Sequence, residues 1–124
     1  MSKPVCVVVG IGPKNGAAFV RRFHSAGYSV ALLSRKTEYS EKLVAELGSD
    51  ARAYACDVAD DAAVKAAFTA VANDLGPVDV LVFNAGSGTW GNIEDLDAKA
   101  FEQAWRMNTL GAFLCSKQVI PGML

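Results

Sequence analysis

The stretch "VVVGIGPKNGAAFVRRF", Val7 to Phe23, changes character twice within a short span. A β-branched apolar run favours extended backbone, glycines at Gly10, Gly12 and Gly16 force or permit a tight turn, and the residues from Asn15 onward carry a helical apolar period. Strand, glycine turn and helix in that order leave few folds open. A helix N-terminus presents unpaired amides and the positive end of its dipole, and glycines before it let a ligand approach the backbone closely, so the turn is expected to cradle an anion.

The style of the first run recurs. Val5 to Val9, Val30 to Leu33 and Val78 to Phe83 are continuous apolar segments of the kind buried on both faces of a parallel sheet, and Ala51 to Cys56 is a weaker strand candidate. Between them the period turns helical. Asn15 to Ala26 places Phe19, Val20 and Phe23 on one face, Tyr39 to Leu47 offers Leu43, Val44 and Leu47, and Asp60 to Leu75 repeats Val64, Ala67, Phe68, Val71 and Leu75. Gly27, Gly48 and Gly76-Pro77 stand where helices stop, and Asp60 is suited to cap the third helix. Alternating strands and helices, followed by a long helix from about Lys99, predict an open α/β sheet with right-handed crossovers over 124 residues, one domain with no linker or low-complexity tract.

Composition narrows the function classes. Twelve Lys and Arg against 13 Asp and Glu give a net charge of −1 without a basic block, which argues against a nucleic-acid partner. No apolar run reaches bilayer-spanning length and no signal-peptide pattern opens the chain, so neither a membrane partner nor secretion is expected, and the expected location is the cytoplasm. Cys6, Cys56 and Cys115 lie in apolar runs without metal-ligand spacing, as reduced, buried thiols do, and no metal site is expected.

The turn reads Gly10-x-Gly12-x-x-x-Gly16, which is not the G-x-G-x-x-G of the dinucleotide fingerprint. It resembles instead the TGxxxGxG motif of the short-chain dehydrogenase/reductase family: the outer glycines fall on Gly10 and Gly16, Val9 stands where Thr is usual and Lys14 where the middle glycine is usual. In the left-handed backbone that a glycine there could adopt, a lysine would be strained. "CDV" at Cys56-Asp57-Val58, "NAG" at Asn84-Ala85-Gly86 and the NxxG within "MNTLG", Met107 to Gly111, match the family in order and distance. The resemblance implies a Rossmann-like, doubly wound α/β sheet with strand order 3-2-1-4, a nicotinamide dinucleotide as cofactor, and carbonyl reduction or alcohol oxidation as the chemistry. It further implies that Gly10, Gly12, Asn15 and Gly16 surround the pyrophosphate, with Lys14 in the same turn either helping or hindering its binding, that Asp57 and Val58 meet the adenine, that Asn84, Ala85 and Gly86 lie beside the cofactor, and that Asn108 belongs to the catalytic set.

The end of the second strand, "LLSRK", bears on which dinucleotide is bound. An acidic residue there reads the ribose hydroxyl of NAD, whereas basic residues accommodate the 2′-phosphate of NADP. Ser34 and Arg35 can donate to a phosphate and no carboxylate intervenes before Glu38, so NADP(H) is favoured over NAD(H). Lys14 could add a second positive charge or remain a surface lysine. Asp57 could cap the following helix and Asn84 could bond backbone at a strand end, with or without touching a cofactor. His24 reads as a partly exposed structural residue. Trp90 and Trp105 read as core or loop-packing residues.

The family's proton-transfer group is a Tyr-x-x-x-Lys pair with a preceding Ser. Tyr28, Tyr39 and Tyr54 have no lysine four positions on, so the chain is expected to be the cofactor-binding half of a longer enzyme, cut before a fifth strand and inactive alone. Val78 to Phe83 would then form an apolar sheet edge, and self-association into a homo-oligomer is expected. The competing reading is a non-catalytic half-Rossmann module that binds nucleotide or only its own copy. A third keeps the fold and lets Lys14 block the turn.

Overall fold

A computed structural model describes residues 2–86 and 88–124. Four parallel strands, β1 (Val5–Val9), β2 (Ser29–Ser34), β3 (Ala51–Ala55) and β4 (Val78–Phe83), form one sheet in the order β3-β2-β1-β4. The crossovers carry α1 (Asn15–Ser25), α2 (Glu38–Leu47) and α3 (Asp61–Asp74). The expected fold class and strand order are thus observed.

The pleat explains the layering. Alternate residues of a strand face opposite sides. Cys6, Val8, Val30 and Leu32 pack with Ala17 and Val20 of α1 and Leu43 of α2, while Val5, Val7, Val9, Ala31 and Leu33 pack on the other face with Val64, Phe68 and Val71 of α3. Every residue of β1 is buried, because the strand has neighbours on both edges and helices on both faces. Among the described residues β4 pairs only with β1, and most of it is partly exposed, which makes it the apolar edge expected from its sequence. Asp79 is an extra residue in the β1–β4 register, and its carboxylate accepts the Val5 amide at 2.8 Å, replacing the ladder bond that the irregularity interrupts.

Helix ends follow the residue types. Asp60 accepts from the amides of Ala62 and Ala63, as its expected capping role requires, and Gly27, Gly48 and Gly76 all take positive φ where helices finish. One face differs from expectation: α1 buries Gly16, Ala17 and Val20, and Phe19 is left exposed. The close approach of α1 to the sheet uses its small residues, so the larger aromatic at position 19 is turned outward.

The long helix comprises α4 (Ala98–Trp105), a π-helical turn over Arg106–Leu110, and α5 (Gly111–Met123). The Gly111 amide reaches back to the Arg106 carbonyl, five residues away, which is the mark of the π-turn. α5 packs on the α3 face of the sheet through Leu114, Cys115 and Val119, but none of the α4 residues is buried. Trp105 is 47% exposed and Trp90 is 93% exposed, so neither is the packing residue the sequence led one to expect. Burial leaves His24 partly exposed, as expected. Among the described residues, no helix is long and apolar enough to cross a membrane, and no group of His, Cys, Asp or Glu is arranged to hold a metal.

Candidate functional site

The carboxyl ends of β1, β2, β3 and β4 lie side by side, and two adjoining clefts open over them. The first, of about 270 Å³, is lined by Gly10, Ile11, Ser34, Arg35, Lys36, Asp57, Val58, Ala85, Gly86 and Met107, among others. The second, of about 520 Å³, runs along Gly10 to Gly16 and the Asn84-Ala85-Gly86 segment. Crevices outside the carboxyl ends of strands are where open α/β sheets bind ligands.

Two glycines in the turn are dictated by contact. Gly10 has φ +94°, and a β-carbon there would stand 2.5 Å from the Ala85 amide nitrogen. A β-carbon on Gly16 would stand 2.5 Å from the Gly10 carbonyl oxygen. These glycines let β1 turn sharply against the end of β4 and let α1 start directly above the turn. Gly12 differs: a β-carbon on it would meet nothing within 4 Å, since it faces the second cleft. The turn is knitted by the Gly10 amide to the Leu33 carbonyl at 2.9 Å, the Ala17 amide to the Gly12 carbonyl at 2.9 Å, and the Asn84 amides to Val9 and Gly10.

Lys14 does not take the left-handed backbone considered for it. Its φ is −105°, it precedes α1 directly, and its side chain is exposed without making a capping bond. The first-turn amides of α1, which have no intrahelical acceptor, are left without a side-chain cap from Lys14. An open turn, a helix N-terminus and a lysine at its rim fit the diphosphate bridge of a dinucleotide.

At the other end of the first cleft, Arg35 and Lys36 are exposed and line the cavity just past β2. The hydroxyl of Ser34 donates to the Lys36 carbonyl at 2.7 Å and contacts the hydroxyl of Ser40 at 2.9 Å. Its single proton is therefore committed to backbone, not turned toward the cleft. Asp57 accepts the Ala59 amide at 3.0 Å while lining the cleft, so local turn bonding and cleft exposure coexist in it.

The motif that contains Asn108 lies on the π-turn. The Asn108 side-chain amide donates to the Ala104 carbonyl at 2.8 Å, and a β-carbon on Gly86 would come within 2.7 Å of the Asn108 side-chain oxygen. The "NAG" and "NxxG" segments, distant in sequence, thus meet. Gly111 serves packing: a β-carbon there would stand 2.9 Å from Cγ2 of Val58 and 3.2 Å from Cζ of Phe83. The cleft also takes in Ile11, Lys36 and Met107, which were not among the expected site residues. Each adjoins a motif position, the only signal the sequence held for them.

The thiols take no part in this arrangement as nucleophiles. Burial pushes Cys6 and Cys115 up to about 12 and Cys56 up to about 11, so all three remain protonated at neutral pH.

Comparison with known proteins agrees with this geometry. A family profile described as short chain dehydrogenase matches residues 4–124. D-threitol dehydrogenase of Mycolicibacterium smegmatis is 36% identical over 97% of this chain and 47% of its own length. A 3-ketoacyl-(acyl-carrier-protein) reductase from Brucella melitensis, crystallised with NADH, superimposes with a TM-score of 0.91 at 31% identity, covering 97% of this chain and 50% of that one. The F189W variant of actinorhodin polyketide ketoreductase, with NADPH, superimposes with a TM-score of 0.90 at 31% identity over 97% of this chain and 48% of that one. The chain spans about half the length of the curated relatives it matches. With a glycine-turned β1–α1 junction, the β3-β2-β1-β4 order and a matching profile over nearly its full length, this chain belongs to the short-chain dehydrogenase family.

Proposed function

We propose that this chain is the cofactor-binding half of an NADP(H)-dependent oxidoreductase that reduces a carbonyl or oxidises an alcohol. The observation that carries the cofactor preference is the pair Arg35–Lys36 lining the cleft directly after β2, with no carboxylate before Glu38 to accept from ribose hydroxyls. The open space at Gly12 and the start of α1, where Lys14 makes no side-chain cap, support the diphosphate position. The chemistry a bound nicotinamide dinucleotide would supply here is hydride transfer to a carbonyl carbon or from an alcohol.

The residues then divide the work. Gly12, Asn15 and Gly16 bring backbone amides to the diphosphate, Gly10, whose own amide is bonded to Leu33, lets the backbone turn beneath it, and Lys14 adds a cation at its rim. Arg35 and Lys36 neutralise a 2′-phosphate, Arg35 with its planar fork. Asp57 accepts from the adenine amino group, Val58 packs beside it, and Asn84, Ala85 and Gly86 form the wall toward the reactive end. Asn108, held over Gly86, belongs to the catalytic set. No Tyr-x-x-x-Lys occurs in the sequence, so delivery of the proton to the substrate oxygen is assigned to none of these residues. Self-association is proposed with the same reading, since Phe101, Trp105, Phe113 and Ile120 of the long helix are exposed.

Titration calorimetry with NADPH and NADH tests the proposal. NADPH is expected to bind more tightly, and Arg35→Ala to weaken NADPH by about tenfold or more while changing NADH little, as the loss of a charge-assisted contact requires. Equal affinities for the two nucleotides, unchanged by Arg35→Ala, would overturn the preference; heat from neither would overturn the site.

A further inference from the structure

Ser40 is the one fully buried polar residue among the described residues, with 0% of its surface exposed. It sits in the first turn of α2, where an alanine would fill nearly the same space and suit a helix better. Its hydroxyl lies 2.9 Å from that of Ser34. Ser34 gives its own proton to the Lys36 carbonyl at 2.7 Å, so Ser40 is the donor in the pair. The Ser34-to-Lys36 bond closes a small ring around Arg35, and the Ser40 hydroxyl ties that ring to the buried side of α2.

We propose that Ser40 is a positioning residue for recognition of the 2′-phosphate: through Ser34 it holds the backbone from which Arg35 and Lys36 enter the cleft. The inference rests on the NADP(H) reading above. The physical ground is that a long cationic side chain on a loosely held turn loses conformational entropy whenever it pairs with an anion, and a turn already fixed loses less. A hydroxyl buried this deeply is retained at a cost unless its hydrogen bond does something, and here that bond's visible effect is to fix the segment between Ser34 and Lys36.

The test compares adenosine 2′,5′-bisphosphate with adenosine 5′-monophosphate by calorimetry, on the wild-type chain and on Ser40→Ala, Ser34→Ala, Ser40→Thr and Ser40→Ala/Arg35→Ala. The wild type is expected to prefer the bisphosphate. Ser40→Ala is expected to reduce that preference by about fivefold, the worth of one hydrogen bond, with 5′-monophosphate binding unchanged. Ser40→Thr, which keeps the hydroxyl, should restore much of it, and Ser40→Ala should cost little once Arg35 is gone. Ser34→Ala breaks the same link from the half-exposed side and gives the answer if Ser40→Ala folds poorly. A wild type that prefers the bisphosphate and serine variants that prefer it equally would overturn the positioning role alone. A wild type with no preference would overturn the NADP(H) reading and the positioning role with it.

Discussion

The side-chain amide of Asn84 donates to the main-chain carbonyl of Gly10 at 3.1 Å, joining the end of β4 to the turn after β1 across 74 positions of sequence. The Asn84 backbone amide adds a second tie, to Val9 at 2.8 Å. Asn84→Asp replaces the donor with a carboxylate facing a carbonyl oxygen. We expect a loss of about 1–3 kcal/mol in urea unfolding, relieved as pH falls and the carboxyl regains a proton to donate. Undiminished stability at neutral pH would mean that the backbone tie suffices.

Gly10 and Gly12 should separate folding from binding. Gly10→Ala puts a side chain at φ +94° and against the Ala85 backbone, and is expected to destabilise the fold by about 3 kcal/mol or more. Gly12→Ala meets no protein atom within 4 Å, so its melting temperature should stay near that of the wild type while dinucleotide affinity falls about tenfold. Thermal melts beside calorimetry check both, and unchanged affinity in Gly12→Ala would remove the diphosphate from that cleft.

Gly111 allows α5 to lie against the loop after β3. Gly111→Ala would bring a methyl within 2.9 Å of Val58 and is expected to cost about 1–3 kcal/mol. Val58→Ala in the same chain should recover part of that loss by making room. A double-mutant cycle measures the coupling, and strict additivity would show that the contact relaxes without strain.

Stability should fall steeply in alkali. Burial raises Cys6 and Cys115 from 9.0 to about 12 and Cys56 to about 11; burial and the hydrogen bond to Asp74 raise Tyr54 from 10.0 to about 12. Each group holds its proton more tightly folded than unfolded, so the unfolded state binds fewer protons above pH 9 and stability declines as pH rises. The contribution is complete below about pH 9 and is lost progressively as pH climbs through 11 to 12. Urea midpoints at pH 8, 9, 10 and 10.5 should show that slope, and the thiols should react with a disulfide reagent only after unfolding.

Asp60 caps α3 through two amides, so Asp60→Ala is expected to destabilise by about 0.5–2 kcal/mol without altering nucleotide affinity. A loss of affinity would place α3 in the site's support.

The sequence by itself determined the order of strands and helices, the glycine turn and the helix stops, because those depend on neighbours within a few positions. Alternating β-branched runs and helical apolar faces point to an open parallel sheet, whereas the strand order and the motif positions Asp57, Asn84 and Asn108 were legible through the resemblance to the short-chain dehydrogenase/reductase family. Only the tertiary structure decided which glycines are forced and which is free, since Gly10 is constrained by Ala85, Gly16 by Gly10, and Gly12 by nothing. It also decided that Phe19 and Trp90 face outward, that Asn108 stands on a π-turn over Gly86, and that Ser34 spends its proton on Lys36 while Ser40 is buried behind it. Periodicity tells which side of a helix is apolar; it does not tell how closely two backbones approach or which hydroxyl finds which carbonyl. Those follow from packing, which brings distant residues together only once the sheet has closed.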